Sequence, residues 1–376
     1  MRRFFKLTVL VLVLLFSIPH SAAALAQNDI SAEFAVLIEA ESGDIIWSKN
    51  ENTRAPQAST TKIMTALIAI ETSSDLSRTV VIDPSACGVE GSSVYLTAGE
   101  HITMEALVYA LLLESANDAA EAIACEIAGG TEEFAELMNI KAAQLGLNGT
   151  HFTNPHGLDN EFHYTTALDL AMLARSAMQN ETFRKIVGTK KILIDSENGT
   201  KRLLLNHNRM LKIYDGATGV KTGFTRRSGR CLVTSASRGG VELISVTLNA
   251  PSDWNDHTKL LDYGFSLYER RTLAEVGQYK YSVPIIGSKT TNIICENTAA
   301  VEVTLPKSAQ LVETIELPRF AYAGISEKDT LGYIIWSRDG KEIARTPLCA
   351  QSSSEPLKYP SFWEKILYFF GIRKIK

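Results

Sequence analysis

The sequence predicts a mixed α/β fold, an antiparallel sheet flanked by helices, followed by a small all-β domain. Two observations predict it. Strand-like runs near the start are separated from strand-like runs near residue 220 by a long helical stretch, and after Thr272 the texture changes to short alternating runs. A chain of 376 residues is long enough for two domains and a sizeable core. Its 45% hydrophobic and 21% charged residues, with mean hydropathy near zero, describe an ordinary globular protein with an added apolar segment. A formal net charge of −4 argues against a nucleic-acid binder.

The elements follow in chain order. A basic start, M-R-R-F-F-K, and an apolar run of roughly 12 residues, too short to span a bilayer comfortably, precede Pro19 and the small-residue tract A-A-A-L-A-Q. Residues 1–26 therefore read as a signal peptide, with Ala24 and Ala26 placed for cleavage and a mature chain beginning near Gln27. Export permits disulfides, yet Cys87, Cys125, Cys231, Cys295 and Cys349 are odd in number and include no C-x-x-C. They read as buried small hydrophobes or free thiols, with one unassignable disulfide allowed.

F-A-V-L-I-E-A and D-I-I-W-S-K form a hairpin around Glu41-Ser42-Gly43. After Pro56, the residues Ile63, Ala66, Leu67 and Ile70 fall at helical spacing and predict a helix from near Ala58. Thr103 to Ala128 reads as two helices meeting at E-S-A-N-D, followed by helices at Thr131–Leu145 and Thr165–Gln179. Strand signals return in G-V-K-T-G-F-T, C-L-V-T-S-A-S and V-E-L-I-S-V-T-L-N, the last two joined by Arg238-Gly239-Gly240. A helix over Asp256–Arg270 closes a first domain, residues 27–271, whose sheet combines the early hairpin with the three late strands. Residues 272–350 form the β-rich domain, which carries no cluster of metal-ligating residues and no nucleophile–base pair. A polar linker, 351–360, leads to a tail, 361–376. There Phe362, Trp363, Ile366, Leu367, Phe369 and Phe370 share one helical arc, and Arg373, Lys374 and Lys376 add positive charge. Such a helix suits an anionic membrane surface.

Three short motifs stand in order: Ser59-Thr60-Thr61-Lys62, Ser115-Ala116-Asn117 and Lys221-Thr222-Gly223. Alone, the first is an ordinary amphipathic helix start. In the set, its one-turn spacing puts a serine hydroxyl beside an amine. A serine is a poor nucleophile at neutral pH and needs a base within hydrogen-bond reach, which a lysine supplies once burial and a nearby cation depress its pKa. Lys221 is that cation. Ser59 then attacks a carbonyl, Lys62 takes its proton and Ser115 relays a proton to the leaving amine. Asn117 bonds a substrate amide. Lys221-Thr222-Gly223 reads as an edge strand that pairs with an extended peptide, Gly223 allowing close approach while Lys221 and Thr222 face a terminal carboxylate. The backbone N–H groups of Ser59 and Phe224 form an oxyanion hole.

The ordered trio, with F-A-V-L-I-E-A-E-S-G-D-I-I-W, E-S-A-N-D-A-A, F-T-N-P-H-G-L and G-R-C-L-V-T-S-A-S, resembles the low-molecular-mass penicillin-binding proteins that are serine-type D-alanyl-D-alanine carboxypeptidases. The likeness covers nearly the whole mature chain. It implies a β-lactamase/transpeptidase-like catalytic domain whose helical subdomain supplies Ser115 and Asn117. It also implies removal of the terminal D-alanine from peptidoglycan stem pentapeptides through an acyl-enzyme on Ser59, capture by β-lactam antibiotics, no cofactor or metal, and a place at the outer face of the cytoplasmic membrane. Two departures stand out. Phe224 occupies a position where many members have histidine, and A-P-S-D-W-N-D-H-T-K lacks the arginine that members often carry before the closing helix. Arg226, Arg227 or Arg230 are the candidates to replace it.

Other functions compete. His151, His156, His163 and Asp159 suggest a metallo-peptidase, but no H-E-x-x-H or other ligand spacing is present. A β-lactamase-like hydrolase would need a deacylating glutamate; Glu161 is near, without an E-x-x-x-N arrangement. A silent wall-binding protein would have no use for the serine–lysine pair.

Overall fold

The computed structural model describes residues 24–357 and 362–370. Most of the expected leader and the basic tip of the tail lie outside the described residues.

Strands β1 (Phe34–Glu39) and β2 (Ile45–Lys49) form the expected hairpin. The buried Glu39 carboxylate accepts the N–H groups of Glu41 and Ser42, and Gly43 closes the turn at φ +81°, a conformation glycine adopts without strain. A 3-10 turn over Ala58–Thr61 leads into α1 (Lys62–Thr72). The α-helix starts at Lys62 rather than Ala58, because Ala58 sits at φ +47°, outside right-handed helical geometry. A short ladder of β3 (Thr79–Val81) and β4 (His101–Thr103) precedes α2 (Met104–Leu113), whose first turn is capped by Thr103 Oγ1 accepting the Ala106 N–H. Then come α3 (Asn117–Ala128), stopped by Gly129 at φ +85°, α4 (Thr131–Gln144) and α5 (Ala167–Met178). The break at E-S-A-N-D falls where the sequence places it. Packed by α2, α3, α4 and α5, α1 is buried from Lys62 to Ile70, so the helix is anchored on every side. Truncating one of its core residues, such as Leu67, costs about 2 to 5 kcal/mol.

The sequence reading assigns no elements to α6 (Glu181–Gly188), the hairpin of β5 (Lys191–Asp195) and β6 (Lys201–Leu205), or the single turn α7 (Met210–Ile213). Strands β7 (Ala217–Thr225), β8 (Gly229–Arg238) and β9 (Val241–Leu248) join the first hairpin in an antiparallel sheet of order β2-β1-β9-β8-β7. The Lys221-Thr222-Gly223 run thus lies on the edge strand. Helix α8 (Asp253–Leu267) covers β9, β8 and β1.

The helix expected over Asp256–Arg270 ends three residues early. Tyr268–Ala274 is strand β10, which lets the Arg271 guanidinium donate to the carbonyls of Lys307 and Ala309. The expected join at 271–272 therefore falls inside a strand. β11 (Lys280–Ile286), β12 (Asn292–Asn297), β13 (Val301–Pro306), β14 (Val312–Glu316), β15 (Ala321–Tyr322), β16 (Thr330–Arg338) and β17 (Lys341–Ala350) complete the β-rich part. β10 pairs with β13, and the others form a sheet of order β14-β16-β17-β12-β11-β15. This sheet is not wholly antiparallel: β11 and β15 run parallel. Val283, Ile293, Ile334, Trp336 and Leu348 make its core.

All five cysteines are free. Cys295 pairs with Ala350 and Glu296 with Cys349, so the two thiols of these neighbouring strands face opposite sides of the sheet. In the tail, α9 (Phe362–Phe369) leaves Phe362, Trp363, Phe369 and Phe370 exposed. No helix among the described residues is long and apolar enough to cross a membrane.

Candidate active site

Three elements converge: the turn opening α1, the connection between α2 and α3, and the edge strand β7. Lys62 is fully buried, and its Nζ lies 3.1 Å from Ser59 Oγ, 2.7 Å from Asn117 Oδ1 and 2.6 Å from the His156 carbonyl oxygen. Burial, and then the charge of Lys221, push the Lys62 pKa well below its ordinary value against a smaller opposing pull from Asp118. Lys221 is itself buried, donates to the Thr222 carbonyl, and has its pKa lowered by burial to about 7.

Ser115 sits between the two helices at φ +60°. That left-handed backbone is unusual for a residue with a side chain and costs about 1 to 3 kcal/mol, which the packed helices on either side sustain. Asn117 is not an N-cap: Ala116 holds that position, and the Asn117 amide faces inward, donating to the Glu90 carbonyl while its oxygen meets Lys62. Asp118 is structural. Its carboxylate accepts the N–H groups of Val94 and Leu96 and the Ser93 hydroxyl, fixing the loop beside the site.

Gly223 is where β7 meets the nucleophile segment. A Cβ there would lie 3.1 Å from the backbone nitrogens of both Ser59 and Thr60, so a side chain at this position would crowd the nucleophile segment by a few tenths of an ångström. The resulting cleft holds about 320 Å³ and is lined in part by Ser59, Ser115, Thr222, Gly223, Phe224 and Arg230. Lys62, Asn117 and Lys221 stand behind this wall. Lys221, expected both to lower the Lys62 pKa and to face a substrate carboxylate, is buried, and its charge does press on Lys62. Phe224 turns its ring to solvent and is 65% exposed.

The cation that does line the cleft is Arg230, which β8 places opposite Phe224 in register. Its Nη2 lies 2.9 Å from Asp253 Oδ1, and its guanidinium carbon 5.5 Å from the Trp254 ring centre. Burial pushes the Asp253 pKa up despite this ion pair. Of the three candidate arginines, only Arg230 lines this cleft; Arg226 and Arg227 are exposed in the β7–β8 turn. Asp253 and Trp254, at the start of α8, carried no motif and are missed by the sequence.

The histidines are separately engaged. His163 Nδ1 accepts the Thr153 N–H at 3.1 Å, so its proton sits on Nε2, 2.7 Å from Thr61 Oγ1; burial lowers its pKa to about 3. His156 Nε2 lies 3.1 Å from Glu121, and His151 Nδ1 donates to the Phe162 carbonyl. Asp159 bonds Thr225, and no group of three or more potential metal ligands occurs among the described residues.

An amine whose pKa burial depresses, set beside a serine hydroxyl, suits acyl transfer through a serine ester, and this places the molecule among the serine-type hydrolases. Comparison with known proteins narrows the class. Residues 21–252 match the Peptidase S11 family, described as D-alanyl-D-alanine carboxypeptidase, and the chain belongs to that family. It is 32% identical over 376 residues to the D-alanyl-D-alanine carboxypeptidase DacF of Bacillus subtilis, covering 96% of this chain and 97% of that protein. It is 30% identical over 346 residues to DacA of Escherichia coli K12, covering 85% and 82% respectively. Among solved structures it resembles penicillin binding protein 5 from Haemophilus influenzae, with a TM-score of 0.66 and 28% identity over 88% of this chain and 99% of that one.

Proposed function

We propose that this carboxypeptidase removes the terminal D-alanine from peptidoglycan stem pentapeptides, and that β-lactams acylate the same serine. The observation that carries this reading is the fully buried, pKa-depressed Lys62 amine 3.1 Å from Ser59 Oγ. Ser59 Oγ bonds to the carbonyl carbon of the penultimate D-alanine as its proton passes to Lys62, giving a tetrahedral oxyanion held by the N–H groups of Ser59 and Phe224. The carbon–nitrogen bond then breaks, and Ser115 relays the proton from Lys62 to the departing amine. Water then gives a proton to the Lys62 amine and adds to the ester carbonyl carbon; the bond to Ser59 Oγ breaks, and Lys62 returns the proton to Ser59 Oγ. Asn117 orients the substrate amide, β7 pairs with the peptide backbone, and Thr222 with Arg230 takes the terminal carboxylate.

We further assign residues 27–267 to the catalytic domain, 268–350 to a spacer, and 361–376 to a tail whose helix α9 docks on the outer face of the cytoplasmic membrane after removal of a leader. Exposure of Phe362, Trp363, Phe369 and Phe370 supports the docking role, since among the described residues these rings are mostly uncovered. Deleting residues after Pro360 should move the protein from the membrane fraction to the soluble one; retention would sink the tail's role.

Labelled penicillin should attach covalently to Ser59, identified by peptide mass, and Ser59→Ala should abolish it. Attachment that survives the substitution overturns the mechanism. Release of D-alanine from a D-Ala-D-Ala peptide, measured beside β-lactam turnover, separates peptidase from β-lactamase. Glu161 is exposed and does not line the cleft, which favours the peptidase.

A further inference from the structure

The three neighbours of Lys62 constrain more than its pKa. A neutral amine has two N–H donors and one lone pair. Asn117 Oδ1, at 2.7 Å, and the His156 carbonyl oxygen, at 2.6 Å, can only accept, so they take the two N–H bonds. The lone pair is left facing the one neighbour with a proton to give, Ser59 Oγ at 3.1 Å. The direction of the base is therefore set by two oxygens, one on α3 and one on the loop 154–158.

The loop oxygen has to be held. Thr65 Oγ1 donates to the Pro155 carbonyl at 2.6 Å, and the Gly157 N–H to Asn154 Oδ1 at 2.7 Å. The remaining brace is Glu121, one turn beyond Asn117 on the same face of α3. His156 Nδ1 accepts the Leu158 N–H at 3.1 Å, so the imidazole proton sits on Nε2 and is donated to Glu121 Oε1, 3.1 Å away. Glu121 Oε2 accepts the Thr131 hydroxyl at 2.6 Å. The two side chains are 9% and 10% exposed, so the pair is shielded from water. Burial works to raise the Glu121 pKa, but the bonds from His156 and Thr131 leave it below the ordinary value.

We propose that Glu121 is a positioning residue for acylation: by holding the His156 imidazole it fixes the carbonyl that takes one N–H of Lys62, and so aims the lone pair at Ser59. It touches neither substrate nor the reacting atoms. The inference rests on the proposed roles of Ser59 and Lys62. Helix α3 then serves the base twice, through Asn117 directly and through Glu121 by way of the loop.

The test uses the full chain and a chromogenic penicillin. It separates the dissociation constant of the initial complex from the acylation rate constant, at the plateau of the pH profile, with unfolding temperatures measured alongside. Glu121→Gln keeps an oxygen for the Nε2–H and should acylate within about threefold of the parent. Glu121→Leu should lower the acylation rate constant about 10- to 100-fold with the dissociation constant unchanged, as expected for a displaced but intact base. Glu121→Asp, which keeps the charge but withdraws the carboxylate by one methylene, should fall in the same direction and serves if the leucine variant does not fold. An unchanged rate constant in the Leu or Asp variant, equal losses in Gln and Leu, or a loss confined to the dissociation constant would each overturn the proposal. Absence of acylation in the parent protein would instead remove the reading on which it rests.

Discussion

The two β-containing regions of this chain are built to different rules. The region that carries the site buries Lys62 of α1 beside the charge of Lys221 on β7 and is flanked by left-handed backbone at Ala58 and Ser115. The C-terminal sheet buries Val283, Ile293, Ile334, Trp336 and Leu348, and a buried polar group such as Asn297 is satisfied by the carbonyls of Glu275 and Ala299. One region holds desolvated charge, which destabilises the fold but activates an amine; the other is built on an apolar core, with its own left-handed backbone at Lys328 and Asp339 confined to turns. Substitutions should therefore divide into those that trade rate for stability and those that change stability alone.

Lys62→Met should give the largest effect. Loss of a general base lowers acylation by about 10²- to 10⁴-fold, read from the rate of covalent penicillin attachment. A loss below tenfold would mean that another group deprotonates Ser59, and the contrast between the regions would lose its chemical basis.

How far the sequence exposes these two regions depends on what carries the signal. The serine–lysine turn is legible because its motif sits at the start of a periodic apolar helix, and the edge strand because K-T-G is flanked by strand formers. The left-handed Ala58 leaves no trace in composition, so periodicity alone does not show that the segment opens as a 3-10 turn and becomes α-helical only at Lys62. Arg230 was only one of three candidates, since register against Phe224 decides which arginine lines the cleft. Asp253, Trp254 and Glu121 matter through tertiary contacts that no local pattern encodes. The early end of α8 was hidden for a similar reason: Tyr268–Ala274 becomes a strand through pairing with β13, far along the chain.

In the other region, Trp336→Ala should cost about 3 to 5 kcal/mol through the cavity it leaves among β-sheet neighbours, with no change in acylation at temperatures where the sheet stays folded. Trp336 is 3% exposed and packs edge-on against Tyr279, with ring centres 5.9 Å apart. Denaturant unfolding followed by circular dichroism, beside penicillin labelling, checks both halves of the prediction.

Lys221→Met should move both properties, in opposite senses. Removing this charge lets the Lys62 pKa rise, so the acid limb of acylation should shift to higher pH by about one unit. Stability should move the other way. Lys221 has a folded pKa of about 7, below its unfolded value, so the unfolded chain binds more protons between the two. The lysine's penalty is fully present below the folded value and disappears as pH rises toward the unfolded one. The methionine variant should thus be more stable near pH 6 by an amount on the order of 5 kcal/mol, with the gain fading by about pH 10. Parallel stability curves at every pH would show that the buried amine is not what the catalytic sheet gives up for its activity.

The smallest effect belongs to the joint between the regions. Arg338 of β16 reaches back to Asp44 beside β2, Nη2 to Oδ2 at 2.8 Å, with the two side chains 28% and 38% exposed. A pair this open to solvent is screened and contributes less than about 1 kcal/mol. Among the described residues, none from β10 through β17 lines the cleft, and β2 stands at the sheet edge opposite β7. Arg338→Ala should therefore lower the unfolding temperature by less than about 3 °C and leave acylation within about twofold of the parent. A tenfold change in acylation would mean that the contact at Asp44 is transmitted across β1, β9 and β8 to the edge strand. The C-terminal sheet would then be a regulator of the site, and the division of labour between the two regions would fail.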